Sequence, residues 1–142
     1  GVLVQTADTL MEDTTDWNVA TERPPTDDEF RDLAFAWRAC KHIKSNTIVL
    51  AKNNTMVGMG AGQPNRVVSV HLSLRIAGDK AKGSVMASDA YFPFGDSVEM
   101  AAEGGIIAIA QPGGSIRDEE SVEAANRLGI AMVLTGTRHF RH

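Results

Sequence analysis

The 142-residue sequence has a single cysteine, Cys40, which excludes an internal disulfide and any multi-cysteine zinc or iron–sulfur site. No apolar run approaches the ~18 residues of a membrane span, and the opening GVLVQTADTL lacks the basic and apolar regions of a signal peptide. The expectation is a soluble, cytoplasmic protein with no membrane partner. A dense basic stripe is missing too. Residues 1–36 carry nine acids and two bases, and residues 37–142 carry nine acids and twelve bases, so a lead of net charge −7 precedes a body of only +3. That balance disfavours nucleic acid and suits a small anionic ligand. The four histidines are scattered apart from His139 and His142, where a frayed tail is a better home than a coordination sphere, so no metal is expected.

Hydrophobic residues make up 43% and charged residues 23%, the proportions of one globular domain. Residues 1–26 read as a strand, Val2–Val4, and a connector ending in Pro24-Pro25; residues 27–142 form the body. Thr26 before Asp27, Asp28 and Glu29 predicts a capped helix with apolar Phe30, Leu33, Phe35, Trp37 and Ile43. Asn53-Asn54 between two apolar runs predicts a hairpin. Val67, Val70, Leu74 and Ala77 then mark a second helix from Pro64, ending near Gly78 or Gly83. Beyond it, 84–90, 106–110 and 131–134 read as strands, and 97–103 and 121–128 as helices. Met56, Met59, Met86 and Met132 read as core, as does Cys40. The order αββαβαβαβ predicts an α/β fold: a three-layer α/β/α sandwich, cytidine-deaminase-like, with a mixed, mostly parallel sheet. The His-x-Glu and Pro-Cys-x-x-Cys motifs of a zinc deaminase are absent.

Ligands of α/β sheets sit beyond the carboxyl ends of the strands, which directs attention to four segments. Gly58–Arg66 has three alternating glycines and an arginine, and fits either a tight hairpin turn or a ligand loop; it is neither a P-loop nor a Rossmann fingerprint. Ser88–Asp96 sets three aromatics around Pro93 between two carboxylates, fit to stack a planar heterocycle and bind its N–H groups. Equally, Phe92 and Phe94 could be core and Asp96 a helix cap. Gln111–Asp118 pairs Gly113-Gly114 with a capping-box pattern of Ser115 and Asp118. Thr135–His142 supplies two arginines suited to gripping an anion.

Together these stretches, with Val2–Gln5, Phe35–Arg38, Lys44–Asn46, Ala51–Asn53 and Ala77–Ala81, resemble one family over nearly the whole chain. It is the formyltransferase part of the bifunctional purine-biosynthesis enzyme that also has inosine monophosphate cyclohydrolase activity. The resemblance implies transfer of a formyl group from 10-formyltetrahydrofolate to the 5-amino group of aminoimidazole carboxamide ribonucleotide (AICAR), in a homodimer. It implies that Asn46 assists at the reacting centre, that Tyr91 and Arg138 hold the nucleotide, and that Arg66, Pro93, Phe94, Asp96 and Ser115 line the folate pocket. Tyr91 stands where the family usually has phenylalanine, and Gly95 where arginine is frequent. The family's catalytic Lys-His-Val segment is not among these residues, and Lys41-His42 sits in a different motif. The chain is therefore expected to supply half of an active site. A non-catalytic nucleotide- or folate-binding module and a dimerisation scaffold are the alternative readings.

Overall fold

A computed structural model describes residues 1–11, 13–93 and 95–142. Its elements are β1 (Asn18–Val19), α1 (Asp27–Cys40), β2 (Ile48–Lys52), β3 (Thr55–Gly60), α2 (Arg66–Ala77), β4 (Val85–Ser88), α3 (Asp96–Glu103), β5 (Ala108–Gln111), α4 (Asp118–Leu128) and β6 (Ala131–Leu134). Short 3-10 turns at Thr14–Asp16 and Gly78–Ala81 complete them. The predicted αββαβαβαβ order is therefore present from α1 onward. No helix among the described residues is long and apolar enough to cross a membrane.

The start of α1 follows directly from its sequence. Thr26 Oγ1 accepts from the Glu29 amide at 3.2 Å, while the Glu29 carboxylate accepts from the Thr26 amide at 3.0 Å. This capping box satisfies orphan amides, and three acids in the first turn complement the positive end of the helix dipole. The helix ends at Cys40, so Ile43 lies past it. Asn53 and Asn54 adopt φ of 53° and 54°, the left-handed turn that asparagine tolerates best after glycine. The buried Asp32 carboxylate of α1 accepts from both turn amides, at 2.9 and 2.7 Å, fastening the hairpin to the helix.

The six strands form one sheet in the order β1-β6-β5-β4-β2-β3. Only the β4–β5 and β5–β6 pairings are parallel; β1–β6, β2–β4 and β2–β3 are antiparallel. This corrects the expectation of a mostly parallel sheet. The initial hairpin inserts β2 between β3 and β4 against their direction, and the lead adds β1 on the far side. The alternation of the strands divides their side chains between two cores. Ile48, Leu50, Met86, Ile109 and Met132 pack with residues of α2, α3 and α4. Val49, Ala51, Val85, Ala87, Ala108, Ala110, Ala131 and Val133 face the other way, toward Leu33, Ala36, Trp37 and Cys40 of α1. That second face is built only from alanine and valine, which leaves room for the fully buried Trp37 ring.

Several expectations fail for identifiable reasons. Val2–Val4 is not a strand: Val2 is 89% exposed, and the lead joins the sheet only at Asn18–Val19, where β1 pairs with β6. Met56 and Met59 are exposed rather than core, because β3 is an edge strand. α2 starts at Arg66 rather than Pro64, and Asn65 caps it, its carboxamide oxygen accepting from the Val67 amide at 2.9 Å. Gly58 and Gly60 form neither a turn nor a ligand loop. They lie within β3 where α2 crosses it, and a Cβ at Gly60 would sit 2.1 Å from the Ser69 carbonyl oxygen. The helix face meeting them is correspondingly small and polar, with Ser69 and Ser73 buried beside Val70 and Ala77.

Candidate functional site

The register fixes where each candidate residue emerges. Ser88 at the end of β4 pairs with Ile48 at the start of β2, which pairs with Gly60 at the end of β3. The parallel strands β4, β5 and β6 finish on that same edge. Arg138 follows β6, Ser115 follows β5, Tyr91, Pro93 and Asp96 follow β4, Asn46 precedes β2, and Arg66 opens α2 after β3. All of these positions therefore lie along one edge of the sheet. At ~4.8 Å between strands, the four steps from β6 to β3 extend about 19 Å.

Asn46 is the most constrained of them. Its peptide with Ser45 is cis. Its backbone amide and Nδ2 both donate to the Gln63 carbonyl, at 3.2 and 2.9 Å, and its own carbonyl accepts from Ser69 Oγ at 2.8 Å. Its Oδ1 accepts from Arg66 Nη2 at 2.7 Å. Arg66 is 7% exposed, and its Nη1 donates to Ser88 Oγ at 2.9 Å and to the carboxylate of Asp89, which is wholly buried. Asp89 also accepts from Ser45 Oγ at 2.6 Å and from the Thr47 amide at 3.2 Å. Its backbone carbonyl accepts from the His139 amide at 2.9 Å, drawing the chain after β6 into the same network.

The remaining candidates are more dispersed. Tyr91 is 41% exposed, whereas Phe92 is core. Phe94 lies outside the described residues. Asp96 is the first residue of α3 rather than its cap, and its Oδ1 accepts from the Ser97 amide at 2.9 Å. It lines a groove of about 400 Å³ with Glu99, Glu120, Glu123 and Arg127. Ser115 is not the cap of α4 either. The Asp118 carboxylate accepts from the Gly114 and Ser115 amides at 2.6 and 3.1 Å, so the backbone donors beside the paired glycines already hold an anionic group. Arg138 lies over the Phe140 ring, 4.9 Å from its centroid, and lines a cavity of about 360 Å³ with Asp8, Thr9 and Phe140. The structure thus joins Asn46 to Arg66 directly, while Asp96 and Arg138 line different cavities.

The tail does not fray where the histidine spacing suggested. His139 is buried, packs on Trp37 with ring centroids 4.9 Å apart, and bonds through Nδ1 to the Asp8 carboxylate. Burial alone pushes the Asp8 carboxyl upward. The hydrogen bond and charge of His139, the Leu10 amide and nearby Lys41 outweigh it and hold the group below its ordinary value. A cavity of about 510 Å³ adjoins this contact, lined by Gln5, Asp8, Lys41, His42, Phe140 and Arg141. Asp8 escaped the sequence reading as a site component, and Asp89 entered it only as one of the two carboxylates of Ser88–Asp96, with no role of its own. The signal for Asp89 is its place immediately after an apolar strand; Asp8 carries no comparable signal. Among the described residues no group of three or more His, Cys, Asp or Glu side chains is placed to hold a metal ion.

The family model for the AICARFT/IMPCHase bienzyme matches residues 1–76. The chain belongs to that family. Over all 142 residues it is 60% identical to the bifunctional purine biosynthesis protein PurH of Nostoc punctiforme, and over 133 residues 57% identical to that of Dictyostelium discoideum. It covers 28% of the first relative and 24% of the second, so it spans about a quarter of the length of the bienzymes it matches. Among solved structures it is similar to Acinetobacter baumannii RibD, at 17% identity and a TM-score of 0.49, covering 74% of this chain and 33% of that one. The residues that carry the AICARFT/IMPCHase resemblance include Asn46 and Arg66, both inside the matched segment.

Proposed function

We propose that this chain is the C-terminal part of the formyl-transfer half of an AICARFT/IMPCHase bienzyme, moving a formyl group from 10-formyltetrahydrofolate to AICAR on the route to inosine monophosphate. In this reading the helices on the two faces of the sheet form the outer layers of a cytidine-deaminase-like α/β/α sandwich. The observation that carries the proposal is the alignment of Asn46, Arg66, Tyr91, Asp96, Ser115 and Arg138 on one sheet edge.

The chemistry sets the requirements. The AICAR amine attacks the formyl carbon, a tetrahedral oxyanion forms, and N10 of the folate departs with a proton while the attacking nitrogen loses one. Asn46 has one Nδ2 hydrogen on the Gln63 carbonyl and a second available to a developing oxyanion, with Oδ1 fixed by Arg66. Arg138 supplies a cation for the nucleotide and Tyr91 a ring for its base. Arg66, Pro93, Phe94, Asp96 and Ser115 line the folate site, with Asp96 accepting from the pterin N–H edge. No resident metal is needed for this chemistry. The enzyme would act as a cytoplasmic homodimer, with further catalytic groups from other parts of the bienzyme.

The test is turnover and calorimetry on the full-length enzyme with AICAR and a folate analogue. Arg138→Ala is expected to weaken AICAR binding at least tenfold, and Asp96→Asn to weaken the folate analogue. Binding of both ligands without turnover in the intact enzyme would favour a binding module. Binding of neither would leave a scaffold.

A further inference from the structure

The buried pair of Arg66 and Asp89 is the least expected feature of the sheet edge. Removing two charges from water costs several kcal/mol per ion, and apolar residues of similar volume commonly give equal or greater stability. Stability is therefore a poor explanation for a pair only 7% and 0% exposed. Geometry offers a better one. The guanidinium is a planar fork: with Nη1 fixed on Asp89 and Ser88, the direction of Nη2 is fixed as well. Nη2 points at Asn46 Oδ1. Asp89 is itself aimed by Ser45 Oγ and the Thr47 amide, which flank Asn46 in the chain.

We propose that Asp89 is a positioning residue for the formyl-transfer site: through Arg66 it sets the orientation of the Asn46 carboxamide, oxygen toward Arg66 and N–H toward the reacting centre. The inference rests on the role given to Asn46 under the proposed function. A carboxamide rotated by 180° would present its oxygen to the developing oxyanion and repel it. Asp89 prevents this without touching either substrate.

The test is a double-mutant cycle on kcat in the full-length enzyme, using Arg66→Lys, Asp89→Asn and Asn46→Ala. Arg66→Lys keeps a cation opposite Asp89 but loses the second prong, so it keeps the inference testable if Asp89→Asn fails to fold. A misaligned reacting group commonly costs ~100-fold, and Arg66→Lys is expected to lower kcat by ~10- to 100-fold with the AICAR KM little changed, over and above any rise in the folate KM from its place in the folate site. In the Asn46→Ala background the same substitution should lower kcat less than about twofold, because the group it orients is gone. Losses that multiply in the double mutant would overturn the inference and identify a merely structural pair. A raised folate KM with kcat intact would overturn it and leave Arg66 with the folate contact alone. If Asn46→Ala alone leaves kcat unchanged, the role of Asn46 fails and the inference fails with it; if Asn46→Ala is crippled and Arg66→Lys is not, only the inference fails.

Discussion

Gly60→Ala is expected to destabilise the protein by about 3 kcal/mol, the upper end of the usual cost of overpacking. The added Cβ would lie 2.1 Å from the Ser69 carbonyl oxygen, 2.6 Å from its Cα and 2.7 Å from its carbonyl carbon. All three are backbone atoms of α2, so relief requires the helix to shift by ~1 Å against a close-packed core. Gly104→Ala provides the comparison. Its Cβ would meet Leu74 Cδ2 at 2.4 Å, the tip of a side chain that can rotate, and about 1 kcal/mol is expected. Urea unfolding followed through buried Trp37 reads both. With a slope of ~2 kcal/mol/M, the midpoint should fall by ~1.5 M for Gly60→Ala and ~0.5 M for Gly104→Ala. Turnover should fall in parallel for the first variant alone, since Arg66 begins the displaced helix. Equal midpoints for the two variants, or an unshifted Gly60→Ala, would refute the argument that α2 rests backbone to backbone on β3.

Asp32→Ala, which strands the Asn53 and Asn54 amides, should cost about 2–3 kcal/mol and raise hydrogen exchange at that turn more than elsewhere. On the α1 face of the sheet, Ala87→Leu should cost about 2 kcal/mol, whereas Met86→Leu on the opposite face should cost under about 1.5 kcal/mol; midpoints in the same variant series check this. The Asp8 carboxyl is depressed in the folded protein, so its contribution is complete above the free-carboxylate pKa near ~3.9 and is lost as pH falls through the lower folded value. Proteolysis of the N-terminal lead should accelerate in that acid window, and Asp8→Asn should already be cleaved faster at neutral pH, with no further acid step from this group.

The parts legible in sequence were those governed by local chemistry. Thr26 with Glu29, the Asn53-Asn54 turn and the apolar runs of β5 and β6 each announced their elements, and the αββαβαβαβ order followed. What stayed hidden depended on neighbours distant in the chain. Nothing local marks Ser69 and Ser73 as contacts; their burial is explained only by Gly58 and Gly60, which β3 presents to them. Met56 and Met59 looked like core because nothing local says that β3 lies at the edge. At the candidate site, Asn46 and Arg66 could be named separately, but their contact is created by the β2–β3 register, which brings the start of one strand level with the end of the other. The role of Asp89 became visible only as the shared anchor of Ser45, Thr47 and Arg66, which precede it by 44, 42 and 23 positions. His139 was assigned to a frayed tail because its partner, Asp8, lies 131 residues away.

The candidate contacts on the sheet edge leave from several strands: Tyr91, Pro93 and Asp96 share the stretch after β4, while Arg138, Ser115, Asn46 and Arg66 each rest on a turn of their own. Lengthening the turn after β5, or exchanging a side chain after β6, alters one point of contact while the adjoining turns keep their supports. Such an arrangement lets ligand preference drift one contact at a time, with Asn46 as the exception: because its hold runs through Arg66 to Asp89, three turns must change together there, and that end of the edge should be the slowest to diverge.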